Sequence, residues 1–352
     1  MPRRSFYVKD SELDDYQVKI VNKRTDNSFI VKGCAGSGKS ILALWKAKQI
    51  QSENRGSLLF VVFTKALKQY MADGIRQIGL NSNSVESANK CYYWEKYEDG
   101  KFVRGAWKKG MYDYIIVDEA QDFSKEEILT YKANARKALL LYGDSAQQLY
   151  GFLTEKKSVS MEEMAIITGF QTEQLVFNHR LPKKIARLAE CISGINDDLE
   201  GRCQNEGVEK PYIFNCSSWQ EQLRLIVSII KNRNFVDVGI LCKDNSEVLM
   251  VSNFLKENGL PNVEAKINDN IDLNFDSDNP KIMTYHSSKG LQFEAVFLPN
   301  CICDNNYRNP LYVALTRTYQ TLYVFHSDNL SELFDTVPEY LYETKATTTE
   351  EL

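Results

Sequence analysis

The chain has 352 residues, of which 43% are hydrophobic and 26% charged, with a formal net charge of −4. This is enough apolar material for two ordinary domain cores, and no apolar run reaches the length of a membrane span. The acidic balance argues against a protein that coats nucleic acid, while leaving room for a local basic groove.

Residues 29–31 (Phe-Ile-Val) read as a short buried strand, and residues 41–51 read as a helix. Between them Gly33-Cys34-Ala35-Gly36-Ser37-Gly38-Lys39-Ser40 fits the phosphate-loop pattern G-x-x-x-x-G-K-S/T in its required strand–loop–helix setting. Glycines let the backbone wrap a triphosphate with its N–H groups on the oxygens, and the helix start adds the positive end of its dipole. Lys39 is placed for the β- and γ-phosphates and Ser40 for Mg²⁺, so the loop predicts ATP or GTP binding.

Residues 58–63 read as a second buried strand, 65–78 as a helix and 112–117 as a third strand that runs into Asp118-Glu119-Ala120-Gln121-Asp122. A phosphate loop needs a further carboxylate near its metal, at the tip of a neighbouring strand. Asp118 fits that role, and Glu119 falls where it can polarise a water at the γ-phosphate. Ser124 and Glu127 have capping-box spacing and start a helix, and residues 138–142 are strand-like.

The second half repeats the alternation. Residues 236–241, 282–285, 295–298 and 321–325 read as strands, and 245–258 as a helix stopped by Gly259-Leu260-Pro261. The prediction is an α/β chain of two parallel-sheet domains, 1–175 and 176–343, with 344–352 as a frayed polar tail.

The phosphate loop together with Asp-Glu-Ala-Gln-Asp resembles the superfamily 1 helicases of the UvrD/Rep class, and further segments match in the family's order. The resemblance implies two RecA-like domains with the ATP cleft between them. Leu13-Asp14-Asp15-Tyr16-Gln17 resembles the adenine-reading motif, with Gln17 as the reader. A glutamine amide can meet both the donor and the acceptor on that edge of adenine. Residues 141–152 resemble motif III, in which Gln147 would sense the γ-phosphate while Tyr150 and Phe152 stack on unpaired bases. Asn178-His179-Arg180 resembles motif IV, with Arg180 on the γ-phosphate and His179 in the place of the family's adenine-stacking tyrosine.

Thr284-Tyr285-His286-Ser287-Ser288-Lys289-Gly290-Leu291-Gln292 resembles motif V. It implies Thr284 and His286 on the nucleic-acid strand and Gly290 and Gln292 on the nucleotide, Gln292 standing where the family has Glu. Val313-Ala314-Leu315-Thr316-Arg317 resembles motif VI, with Arg317 as an arginine finger, and Phe63 and Thr64 in a motif Ia-like segment would touch the strand. Residues 85–89 depart from the expected Thr-Phe-His-Ser segment, so no strand contact is carried over there. Both inserted accessory subdomains of larger relatives are missing from the short connections 95–111 and 262–280. The first connection includes Lys101, Arg104, Trp107, Lys108 and Lys109, which read equally as a basic–aromatic hairpin or a solvated loop.

The expected function is a single-strand-dependent, Mg²⁺-requiring ATPase that translocates on DNA, 3′ to 5′ by resemblance, with RNA as an open alternative track. One rival is an ATP-gated subunit regulating a partner nuclease in repair or phage defence; another is a P-loop NTPase that is no motor. The N-terminus lacks the apolar core of a signal peptide, and eight scattered cysteines suit a reducing cytoplasm better than a disulfide framework. No membrane partner is expected.

Overall fold

The computed structural model describes residues 12–96, 102–144, 158–194, 198–268, 271–327 and 330–346. The chain forms two compact units, one ending at Val176 and the other running on from Phe177.

The strands of the first unit are β1 (Phe29–Gly33), β2 (Leu58–Val62), β3 (Val85–Ser87), β4 (Tyr92–Lys96), β5 (Phe102–Trp107), β6 (Tyr112–Val117), β7 (Ala135–Gly143) and β8 (Gln171–Leu175). Six of them make one sheet in the order β3-β2-β6-β7-β1-β8, with every pairing parallel. Continuous apolar runs such as Leu-Leu-Phe-Val-Val in β2 are what a parallel strand covered on both faces requires. Successive residues serve opposite faces. Phe29, Val31, Phe60, Val62 and Ile116 pack on the helix at Lys39–Ser52. Ile30, Val61, Ile115 and Val117 pack on Phe123, Ile128 and Tyr131.

Three features of this unit differ from the sequence expectation. The helix expected over 65–78 divides at Met71 into Lys65–Tyr70 and Ala72–Gln77, where ψ flattens to −10° although Met71 keeps its helical hydrogen bonds. Edge strand β8 was invisible because Gln-Thr-Glu-Gln-Leu is polar and largely exposed. Finally, β6, which carries Asp118, does not neighbour β1: β7 lies between them. β4 and β5 form a separate antiparallel hairpin, so the connection at 95–111 is a hairpin.

The second unit contributes β9 (Asn178–Pro182), β10 (Cys203–Asn205), β11 (Tyr212–Asn215), β12 (Val238–Cys242), β13 (Glu264–Ala265), β14 (Lys281–Thr284), β15 (Phe293–Leu298), β16 (Thr318–His326) and β17 (Glu343–Ala346). Its main sheet runs β13-β14-β12-β15-β16-β11-β17, again wholly parallel. One face carries an aromatic stack in which Tyr323 lies 4.7 Å from Phe297 and 5.4 Å from Tyr212, ring centroid to ring centroid. β9 and β10 pair apart from that sheet and hold His179 and Arg180. Residues 344–346, expected in a frayed tail, instead belong to β17, whose register on β11 pairs Thr344 with Ile213. Backbone pairing on an open sheet edge orders a segment that its side chains alone would not. Among the described residues no helix is long and apolar enough to cross a membrane.

A buried lysine ties the first unit's N-terminal helix to the helix of the phosphate loop. Lys46 Nζ donates to the carbonyl of Val21 at 2.6 Å, to Gln49 Oε1 at 2.9 Å, and to the carbonyl of Lys23. Burial pushes its pKa down to about 8, against the opposing charge of Glu53. A folded-state pKa below the unfolded value of 10.5 means stability gained as pH rises between the two. The melting temperature of the wild type relative to Lys46→Met is therefore expected to climb from pH 8 to pH 10, read by scanning calorimetry; a flat difference would contradict this.

Candidate functional site

The loop 33–40 leaves the C-terminal end of β1. Gly36 and Gly38 take positive φ, 74° and 87°. A Cβ on Gly38 would sit 2.6 Å from Gln17 Nε2. Gly38 is also the N-cap of the helix at Lys39–Ser52 and offers no side chain to the first-turn amides, which leaves that helix start open to an anion. Lys39 is buried and folds back on the loop, donating to the carbonyls of Gly33 (2.8 Å) and Cys34 (2.9 Å). Ser37 Oγ is buried without a hydrogen-bond partner.

Gln17 sits against this loop. Its Nε2 donates to the Ser37 carbonyl at 3.0 Å, and its Oε1 accepts from the Asp14 amide at 3.1 Å. Asp14 returns the contact by capping the Gln17 amide at 2.8 Å. Both ends of the amide expected to read adenine are thus engaged inside the unit.

Asp118 ends β6 and is fully buried. Neither of its carboxylate oxygens meets a donor at hydrogen-bonding geometry. Burial pushes its pKa up to about 7 and the charge of Glu119 adds to the rise, while Ser40 and Lys39 oppose it. Lys39, Ser40, Asp118 and Glu119 therefore share one electrostatic environment even though β7 separates the strands behind them. An uncompensated buried carboxylate beside a serine hydroxyl is a donor set that suits a hard divalent cation. Glu119 adopts the left-handed region at φ 54°, uncommon for a residue with a side chain. Its Oε2 accepts from Gln121 Nε2 at 2.6 Å, and Gln121 Oε1 accepts from the Asp144 amide at 2.9 Å. Sequence reasoning passed over Gln121; its place two residues after the acid was the one available signal.

Gln147, Tyr150 and Phe152 lie outside the described residues. Phe63 is engaged within its unit, edge-on to Phe123 at 5.2 Å and under the Arg104 guanidinium at 5.2 Å. Thr64 Oγ1 caps the helix at Lys65–Tyr70 by accepting from the Leu67 amide at 3.0 Å. On the hairpin, Tyr93 and Trp94 are 59% and 49% exposed. Arg104 turns inward to pair with Glu127 at 3.1 Å.

In the second unit Arg180 and Arg317 converge on Thr316. Arg180 Nη2 donates to the Thr316 carbonyl at 2.9 Å, and Arg317 Nη2 donates to Thr316 Oγ1 at 3.0 Å. Arg317 Nε also donates to the Val313 carbonyl at 2.8 Å, at the C-terminal end of the helix Arg308–Leu315, where a cation is favoured. Asn178 Oδ1 accepts from the amides of Arg180 and Leu181 and fixes the turn. The sequence marked both arginines but not the threonine that joins them. His179 is half-buried, its ring 6.3 Å from Phe177. Thr284 Oγ1 bonds Ser287 Oγ at 3.1 Å. Burial, with the charge of Lys289, lowers the His286 pKa, keeping that imidazole neutral at pH 7. Gly290 has φ 79°, and Gln292 is half-buried.

Parallel sheets, a glycine-rich loop opening a helix, and a buried acid ending a nearby strand define a P-loop NTPase of two RecA-like domains. Residues 17–153 match an AAA domain family and residues 281–325 the family of UvrD-like helicase C-terminal domains. On these matches the chain is similar to the UvrD-like superfamily 1 helicases. It is 25% identical over 246 residues to a protein of Acanthamoeba polyphaga mimivirus named as an ATP-dependent DNA helicase, covering 63% of this chain and 34% of the relative. It is 25% identical over 250 residues to a protein of Mycoplasma pneumoniae named as a DNA helicase, covering 60% and 43%. The match thus spans well under half the length of each of these relatives. Among solved structures, the arterivirus nonstructural protein 10 helicase aligns over 91% of this chain and 63% of its own, with TM-score 0.45 and 18% identity. The C-terminal domain of a Lactobacillus plantarum protein described as a DNA helicase covers 47% and 98%, with TM-score 0.38 and 18% identity.

Because Asp118 has a folded-state pKa above its ordinary 3.8, it costs stability as pH rises through that interval. Asp118→Asn is expected to melt above the wild type near neutral pH without nucleotide, and the margin should close as pH falls from about 7 toward 3.8. Calorimetry over that range checks it; a less stable variant at neutral pH would be the opposite result.

Proposed function

We propose that the chain is a Mg²⁺-dependent ATPase stimulated by single-stranded nucleic acid, DNA in the first place, and that it moves along the strand 3′ to 5′. The observation that carries this is the cluster of Lys39, Ser40, Asp118 and Glu119 beside an uncapped helix start, with the Asp118 carboxylate fully buried. The names of the relatives, both called DNA helicases, support the choice of track.

In this reading the loop amides and the start of the helix bind the triphosphate. Lys39 exchanges the carbonyls of Gly33 and Cys34 for phosphate oxygens. Ser40 and Asp118 would hold Mg²⁺, which neutralises phosphate charge when bound. Glu119 orients the attacking water and accepts its proton. Gln17 gives up its contact with Ser37 to read adenine, so base recognition and loop shape change together. Arg180 and Arg317, paired through Thr316, serve the same hydrolytic cycle by stabilising charge on the transferred phosphoryl group. His179, Gly290 and Gln292 complete the nucleotide contacts. Phe63, Thr64, Tyr150, Phe152, Thr284 and His286 are the proposed strand contacts, and for Phe63 this requires it to shift from its place against Phe123 and Arg104.

Lys39→Ala and Glu119→Gln are expected to lower strand-stimulated turnover by ~100-fold or more, with Glu119→Gln still binding ATP, as read by fluorescence of a labelled analogue. Arg317→Ala should fall by ~1,000-fold. Steady-state hydrolysis with single-stranded DNA, duplex DNA and RNA at several salt concentrations tests the track. Turnover indifferent to every polynucleotide would refute the motor reading, and displacement of streptavidin from one labelled end tests direction.

A further inference from the structure

Gln121 is fully buried, as are its two partners Glu119 and Asp144. It spans the acidic turn after β6 and the end of β7, donating to Glu119 Oε2 at 2.6 Å and accepting from the Asp144 amide at 2.9 Å. The orientation of its amide is decided by chemistry. A backbone N–H can only donate, so the Gln121 oxygen must face Asp144, and the NH₂ group is thereby aimed at Glu119. That group can bond only an acceptor, so it pins one oxygen of the Glu119 carboxylate. The space it occupies exists because residue 143 has no side chain. A Cβ there would come within 2.5 Å of Gln121 Oε1 and 2.4 Å of Met161 Sδ.

We propose that Gln121 is a positioning residue for hydrolysis: it holds the Glu119 carboxylate in one rotamer and locks the strained turn that carries it to the end of β7. The inference rests on the ATPase reading above and goes beyond it by naming what prepares the base. A glutamate side chain has three torsions, and a base that must meet a water at one angle loses rate when it wanders. Without the clamp Glu119 also keeps its left-handed backbone with less to hold it there.

The test uses the full chain with single-stranded DNA. Gln121→Leu is expected to lower kcat tenfold or more while the affinity for a fluorescent ATP analogue stays within twofold. Gln121→Asn keeps the amide but is one methylene too short to reach both partners, and should lower kcat in the same way. Gly143→Ala, which displaces the same amide, should reproduce the loss of kcat. A scaffolding role alone would lower the melting temperature and leave the kcat of the folded variants unchanged. If the wild type turns over and kcat does not fall in the folded variants, this inference is overturned and the ATPase reading stands. If the wild type hydrolyses no ATP with any strand, the ATPase reading fails and takes the inference with it. Should Gln121→Leu not fold, Gln121→Asn decides.

Discussion

One buried negative charge organises the first unit. The Asp118 carboxylate follows the end of a strand, out of water, with Ser40 and Lys39 opposing a larger penalty from burial and from Glu119. A protein interior penalises such a group by several kcal/mol unless something arrives to compensate it. Its surroundings are arranged around that deficit. Lys39 is close enough to temper it but spends its own hydrogen bonds on the loop carbonyls. Glu119 makes it worse. The helix start above it is uncapped.

The two units solve the problem of holding charge in opposite ways. In the first, Lys39 and two carboxylates act on one another electrostatically. In the second, two guanidinium groups donate to protein oxygens, the carbonyl and hydroxyl of Thr316 and the carbonyl of Val313. Their positions are set by a helix C-terminus, where positive charge is at home. In the first unit the phosphate loop and the acidic turn leave the C-terminal ends of parallel strands, which is where open α/β sheets gather their chemistry.

Much of this could be read from residues alone, and the reasons are local. Apolar runs in β2 and β6 and the capping box at Ser124 are decided within a few residues. The loop 33–40 takes two left-handed turns, at Gly36 and Gly38, where glycine is favoured over residues with a side chain. What escaped was decided at longer range. β8 is polar and becomes a strand only because β1 offers it an edge, and β17 does the same on β11. The interposition of β7 between β1 and β6 is a matter of topology. Gln121 and Thr316 are ordinary residues whose importance lies in what they touch, and a pattern of residue types does not record contacts. The two contacts of the Gln17 amide, with Asp14 and with the Ser37 carbonyl, are likewise matters of geometry that its place in a motif does not record.

The order of strands in the first sheet also sets a schedule for its assembly. β1 is made early, yet its hydrogen-bonding neighbours are β7 and β8, so that Phe29 waits for Leu140 on one side and Gln171 on the other. Contacts so distant in sequence are slow to form, and until they do a run of bare apolar backbone stays unpaired. A nascent chain would carry that sticky segment through more than a hundred residues of synthesis, which makes it a natural client for chaperones and the first place to look when overexpression yields insoluble material.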